Sequence, residues 1–178
     1  FDTLYNTGIG IPSPSENENT AVYNGHTYAS YDTACSWEQA NEYCRSMGGH
    51  LVTITSAEEQ AKVEQIMSAG TMQGYWIGSK RTASGGDFAW ITGEPFEYTK
   101  WHTGQPDYYL GNEDYLMIYR SSKYWNDLDN LSDNISGKCG YICEWDTTLG
   151  SLSIPNSNDN SSVVSYNGHT YAYYDLGY

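Results

Sequence analysis

The chain has 178 residues, 39% of them hydrophobic, enough for one core and one ordinary domain with length left over at the ends but not for a second full domain. A net charge of -14, with 8 Lys and Arg against 22 Asp and Glu, excludes nucleic acid and anionic membrane surfaces, which are held by clustered basic residues, and points to cations instead. The stretch Leu116-Met117-Ile118-Tyr119 is too short to cross a bilayer, and Phe1-Asp2-Thr3-Leu4-Tyr5 lacks the charged-then-apolar order of a signal peptide, so a mature soluble fragment without membrane insertion is expected.

In chain order, Asn6 to Thr20 is rich in Gly, Pro, Ser and Asn and cannot bury enough apolar surface to order itself, so residues 1–20 are read as an extension and linker. Tyr23 to Asp32 alternates around Asn24-Gly25, as an opening strand or hairpin does. Ser36 with Gln39 forms a capping box, and Trp37, Ala40, Cys44 and Met47 recur at helical spacing until Gly48-Gly49 ends a first helix. Ser56-Ala57-Glu58-Glu59 opens a second in the same way, with Val63, Ile66 and Met67 inward and Gly70 at its end. Leu51 to Ile54, Tyr75 to Ile77, Leu116 to Tyr119 and Tyr141 to Trp145 read as short buried strands. Helices early and strands later make an α+β domain over residues 21–146.

A second linker covers residues 147–162. After it the phrase Tyr23-Asn24-Gly25-His26-Thr27-Tyr28-Ala29 returns identically as Tyr166-Asn167-Gly168-His169-Thr170-Tyr171-Ala172. Residues 163–178 are therefore expected to begin a second copy of the domain, in a parent protein built as a tandem array.

The order Trp37-x-x-Ala40-x-x-x-Cys44, Gly48-Gly49-His50-Leu51-Val52-Thr53-Ile54, Ser56-x-x-Glu59-Gln60, Trp76-Ile77-Gly78, Gly104-Gln105-Pro106-Asp107, Glu113-Asp114, Trp125-Asn126-Asp127 and Ile142-Cys143-Glu144 resembles the C-type lectin-like domain from Ala21 to Trp145. The resemblance implies a double-looped α+β fold with two helices and two small antiparallel sheets, whose long loop carries a calcium and sugar site.

The residues of that site have a chemistry of their own. Calcium is a hard ion that takes about six to eight oxygens, and Gln105, Asp107, Glu113, Asn126 and Asp127 offer oxygen-bearing side chains in two short clusters. The three carboxylates carry one negative charge more than a divalent ion cancels, which calls for water or sugar hydroxyls donating into them. By resemblance, vicinal sugar hydroxyls and the Asp127 carbonyl complete the coordination, and Gln105-Pro106 is cis, an isomer that X-Pro bonds adopt at modest cost. The order Gln-Pro-Asp is associated in the family with galactose-type ligands, and Tyr109, beside Tyr108, stands where galactose binders place a stacking aromatic. Glu94-Pro95-Phe96 imitates the mannose-type motif but offers no third oxygen and reads as a structural turn. Ser79-Lys80-Arg81 brings positive charge to where the family's auxiliary calcium needs acids, so that site is not expected despite Asp114. Trp125 reads as core, and Asn126-Asp127 taken alone as a turn. His26, His50, His102 and His169 are scattered and read as structural.

Four cysteines without a zinc-type spacing suit disulfides in an oxidising, extracellular compartment, secreted or at a cell surface. The resemblance implies a bridge from Cys44 to Cys143. Tyr115 replaces the cysteine of the family's other bridge, which leaves Cys35 with Cys139. Asn130, Asn134 and Asn160 head Asn-x-Ser sequons. No nucleophile–base order, phosphate loop or His-x-x-x-His pair is present, so an enzyme is not expected. Two functions are compatible with these residues. One is a calcium-dependent carbohydrate-binding module of a multi-domain adhesin or surface protein, flanked by neighbouring repeats; the other is a protein-interaction or spacer module that keeps the fold without binding sugar.

Overall fold

A computed structural model describes residues 19–130 and 139–146, together with the backbone of two strands at 163–166 and 169–172. Apart from Asn19 and Thr20, both expected linkers lie outside the described residues, as do two of the three sequon asparagines, Asn134 and Asn160.

The chain opens with β1 (Thr20–Tyr23) and β2 (His26–Tyr31), joined at Asn24 and Gly25 with φ of 48° and 88°. Two consecutive positive φ values are what a two-residue hairpin turn needs, and Asn-Gly supplies them at little steric cost. Helix α1 (Trp37–Ser46) is capped as the sequence predicts: Ser36 Oγ accepts from Gln39 N at 3.2 Å, and Gln39 Oε1 accepts from Ser36 N at 3.0 Å. Strand β3 (His50–Leu51) follows, then α2 (Ala57–Ser68). The predicted box of α2 is half made. Ser56 Oγ accepts from Glu59 N at 3.1 Å, but the Glu59 carboxylate turns to Thr55 N at 2.7 Å and to the Tyr28 hydroxyl at 2.7 Å, tying the helix to β2.

The second half of the domain is β4 (Gly74–Arg81), β5 (Phe88–Trp90), β6 (Tyr115–Tyr119), β7 (Trp125–Leu128) and β8 (Cys139–Trp145). Hydrogen bonds set the order β1-β2-β8-β4-β6-β7, with β3 on β8 and β5 on β4, in one eight-stranded sheet. The two small sheets implied by the resemblance are thus joined by the parallel pairing of β4 with β8, Gly74 opposite Cys139 to Trp76 opposite Tyr141. The predicted strand at Leu51 to Ile54 shortens to β3 because Val52 donates to Ile142 O at 2.9 Å and accepts from Gly78 N at 2.7 Å, bridging β8 and β4 instead of following one partner. Strands β5 and β7 are additions to the predicted elements. Trp-Asn-Asp-Leu has weak strand character, and its pairing with β6, Leu116 opposite Asp127, decides the matter.

Alternation along the central strands divides the core. Tyr75, Ile77, Leu116, Ile118 and Ile142 pack with Val63, Ile66 and Met67 of α2, while Trp76, Met117, Tyr141, Cys143 and Trp145 pack with Trp37, Ala40 and Cys44 of α1. The four fully buried tryptophans are anchored by their indole N–H groups: Trp37 to Ile77 O, Trp76 to Cys35 O, Trp125 to Gln60 Oε1 and Trp145 to Met47 O, all at 2.8 to 2.9 Å.

Beyond the domain, β9 (Val163–Tyr166) and β10 (His169–Ala172) form an antiparallel pair. Its register, Tyr166 opposite His169 to Val163 opposite Ala172, repeats that of β1 and β2, Tyr23 opposite His26 to Thr20 opposite Ala29.

All four cysteines are buried. Cys44 and Cys143 belong to the same core cluster beside α1, and Cys35 N donates to Cys139 O at 3.3 Å. Burial pushes the thiols of Cys35 and Cys139 up to about 12 and raises Cys143 further, so as thiols they are unreactive. A non-reducing peptide map of secreted protein is expected to link Cys44 to Cys143 and Cys35 to Cys139; a peptide joining Cys35 to Cys44 would contradict this pairing. At Gly78 an added Cβ would stand 2.3 Å from Leu51 O, a backbone atom that cannot swing away. Gly78→Ala is expected to cost about 3 kcal/mol of stability by overpacking, read as a lower urea midpoint at unchanged slope.

Candidate functional site

The ladder between β6 and β7 fixes Asn126 and Asp127 at the sheet's far edge, where Asp127 is 0% exposed and Asn126 7%. The connection between β5 and β6 is then folded over this edge by its own aromatic residues and backbone. Phe96, Tyr98 and Trp101 pack around Trp125 with ring centroids 5.8 to 6.2 Å away. Trp125 N donates to Lys100 O at 2.7 Å, and His102 N donates to Trp125 O at 2.8 Å. The chain then turns at Gly104, whose φ is 89°, and enters the Gln105-Pro106 bond, which is cis.

This path carries the first predicted cluster onto the second. Asp107 N donates to Gln105 Oε1 at 3.1 Å and to Asp127 Oδ1 at 3.2 Å; Tyr108 N donates to Asp127 Oδ2 at 3.0 Å. Tyr109 N donates to Glu113 Oε2 at 2.9 Å, and Asn126 Nδ2 donates to the Asp127 carbonyl. One carboxylate oxygen from each of Asp107, Glu113 and Asp127 lies within 4.8 Å of the others. The three predicted acids thus come together from two separate stretches, with Gln105 bonded to the Asp107 amide and Asn126 to the Asp127 carbonyl.

Three acids so close repel one another, and Glu113 records it. Burial first, then the Asp127 and Asp107 charges and a hydrogen bond shared with Asp107, push its carboxyl up to about 7 against the partial relief of the Tyr109 N–H. Without a cation the cluster keeps a proton near neutrality. Such a group of hard oxygen donors fits a calcium ion: Asp107, Glu113 and Asp127 supply charge, and Gln105 and Asn126 neutral oxygens.

Arg81 is the functional residue that the sequence reading missed. Expected only to repel a second cation, it is itself the fixed cation of the region. Its Nη2 donates to Asp127 Oδ2 at 2.7 Å, its Nε to Glu113 O at 2.9 Å and its Nη1 to Gly86 O at 2.7 Å. The guanidinium is sandwiched between the rings of Phe88 and Tyr108, at 4.4 and 4.8 Å. Arg81 offsets part of the charge of the three carboxylates, but it also lies 3.9 Å from Asp114 Oδ1, so the region stays strongly negative. Strand alternation on β4, which puts Ser79 and Arg81 on one face, was the available signal, but the reach of a long side chain does not follow from alternation.

The two loop tyrosines part company. Tyr108, with φ of 49°, is packed against Arg81 and hydrogen-bonded to the Ser84 hydroxyl, so its ring is committed. Tyr109 is 63% exposed beside the acid cluster and free to meet a ligand. Glu94 is structural, as its turn reading requires: it accepts from Thr53 Oγ1 at 2.6 Å and Thr92 Oγ1 at 2.9 Å.

Comparison with known proteins agrees with this fold. Residues 33–145 match the family model described as "Lectin C-type domain". A perlucin-like protein of Mytilus galloprovincialis is 34% identical over 112 residues, covering 61% of this chain and 69% of its own. An alpha-N-acetylgalactosamine-specific lectin of Patiria pectinifera is 32% identical over 136 residues, covering 71% of this chain and 77% of its own. The crystal structure of the C-type lectin CEL-I from Cucumaria echinata superposes with a TM-score of 0.63 at 29% identity, over 72% of this chain and 95% of that one. The chain belongs to the C-type lectin domain family.

Proposed function

We propose that this lectin domain binds carbohydrate through a calcium ion, with a preference for galactose-type glycans, as one repeat of a secreted or cell-surface multi-domain protein. The observation that carries the reading is the meeting of Asp107, Glu113 and Asp127, whose negative charge Arg81 offsets only in part. Gln105, Asp107, Glu113, Asn126 and Asp127 would hold the ion. When bound, calcium offers open coordination positions to a pair of neighbouring hydroxyls. The acid oxygens accept hydrogen bonds from those hydroxyls and the amides of Gln105 and Asn126 donate to them, so exchanging acid and amide would change which hydroxyl pair fits. The exposed Tyr109 ring is suited to cover the apolar face of a sugar. The Gln-Pro-Asp order and the relative named as an alpha-N-acetylgalactosamine-specific lectin support the galactose-type preference. The matching registers of β1-β2 and β9-β10 support a second copy beginning at Val163.

Calorimetric titration of calcium is expected to give a site that Asp107→Asn weakens about 10- to 100-fold, and a glycan array is expected to give galactose-type binding that chelator abolishes. Tyr109→Ala should weaken sugar about tenfold, the worth of one aromatic contact, while leaving calcium affinity intact. Glycan or protein binding that persists in chelator would favour the interaction or spacer role.

Glu113 makes the site pH-dependent. Calcium displaces its proton, so below pH about 7 the apparent affinity is expected to fall up to about tenfold per pH unit, and Glu113→Gln should flatten the profile. The sign for stability is opposite in the cation-free domain. Because the folded carboxyl lies above its ordinary 4.5, the folded state holds more protons between 4.5 and about 7, and stability declines as pH rises through that window. Thermal melts with and without calcium across it would check both signs.

A further inference from the structure

A second group of metal-binding side chains stands where β2 begins and β8 ends. His26 opens β2, Glu144 lies on β8 and Asp146 just follows it. The Nδ1 of His26 is 2.8 Å from Glu144 Oε1 and 3.5 Å from Asp146 Oδ1, and one donor atom from each of the three lies within 4.8 Å of the others. Glu144 is 2% exposed. Its Oε2 is occupied by Thr53 N at 3.0 Å, which leaves Oε1 toward His26.

Two details separate this group from an ordinary ion pair. His26 Nδ1 is closed off from water and lies 2.8 Å from Glu144 Oε1 out of line for a good hydrogen bond, while contact with Glu144 and the charge of Asp146 raise the imidazole above its ordinary range, so a metal there displaces a proton. A donor and its acceptor point at each other; two ligand atoms stand side by side around something shared. The second detail is His50 on β3. With acceptors at both ring nitrogens His50 is an imidazolium: Nδ1 donates to Leu51 O at 2.9 Å, which fixes the ring, and Nε2 donates to Asp146 Oδ1 at 3.1 Å, the same oxygen that faces His26. An imidazole held by a backbone carbonyl and gripping a carboxylate is the kind of support that orients metal ligands.

We propose that His26 Nδ1, Glu144 Oε1 and Asp146 Oδ1 form a site for a divalent transition ion of the zinc class, with His50 positioning Asp146. Mixed imidazole and carboxylate donors suit zinc better than calcium, which prefers oxygen alone, and three protein donors leave a fourth position for water or another ligand. The ion would tie the opening hairpin to the last strand where the chain leaves the domain. The site shares no residue with the acid cluster of Asp107, Glu113 and Asp127, so it stands or falls apart from the sugar reading.

Zinc titration by calorimetry into untagged, calcium-saturated protein tests it. One site per domain is expected, weakened at least about tenfold by His26→Ala and by Asp146→Asn and unchanged by His102→Ala or His169→Ala. Calcium titrations of the same variants should match the wild type. Asp146 is 68% exposed, so Asp146→Asn leaves the fold intact. Absence of zinc binding up to about 1 mM, or equal affinity in wild type, His26→Ala and Asp146→Asn, overturns the proposal.

Discussion

The buried carboxylate of Asp127 is the constraint around which the loop is arranged. A fully buried charge is tolerated only when it is paired and hydrogen-bonded, and Asp127 collects Arg81 Nη2 at 2.7 Å, Tyr108 N at 3.0 Å and Asp107 N at 3.2 Å. Each bond fixes a different thing. Arg81 ties the carboxylate to β4, and the two backbone donors draw the loop down onto β7. The loop has no sheet ladder of its own between Thr103 and Asp114, so these polar ties and the aromatic packing around Trp125 determine where Gln105 and Asp107 stand.

Much of this was legible in the sequence, for reasons that differ by element. The helices could be read because capping and apolar spacing are local: Ser36 with Gln39, and Val63 with Ile66 and Met67, lie within a few residues of one another. The hairpin at Asn24-Gly25 was equally local. The convergence of the two oxygen clusters came from the resemblance, since no spacing rule brings residue 107 to residue 127. Pairing decides what local preference cannot, which is why β5 and β7 were missed and why β3 is shorter than its apolar run. Arg81 and the cluster of His26, His50, Glu144 and Asp146 were hidden for one reason: each draws on three or more segments far apart in the chain. His26 and His50, read as scattered, are neighbours only because β2 and β3 both pair with β8.

The same strand explains the economy of the core. Strand β8 is bonded to β2 and β3 along one part and to β4 along another, and both of its faces are covered. Cys143 faces α1, Ile142 faces α2, and Glu144 emerges at the edge where β2 starts. A strand so enclosed has to satisfy every backbone group in the sheet, and close approach requires Gly140, where a Cβ would meet Tyr31 O at 2.2 Å.

Charge then separates what the fold needs from what a ligand would supply. The core and the sheet close without a cation, and four tryptophans are satisfied by protein groups alone. The acid cluster is different: Arg81 neutralises one carboxylate, and near neutrality the remainder is eased by a proton on Glu113. A group kept protonated by its neighbours is poised to exchange that proton for another positive charge at small cost in reorganisation, because Tyr109 N already holds the Glu113 carboxylate and Arg81 and Tyr108 N hold that of Asp127. The fold thus fixes the acid cluster in advance, with β7 and the long loop each supplying part of it.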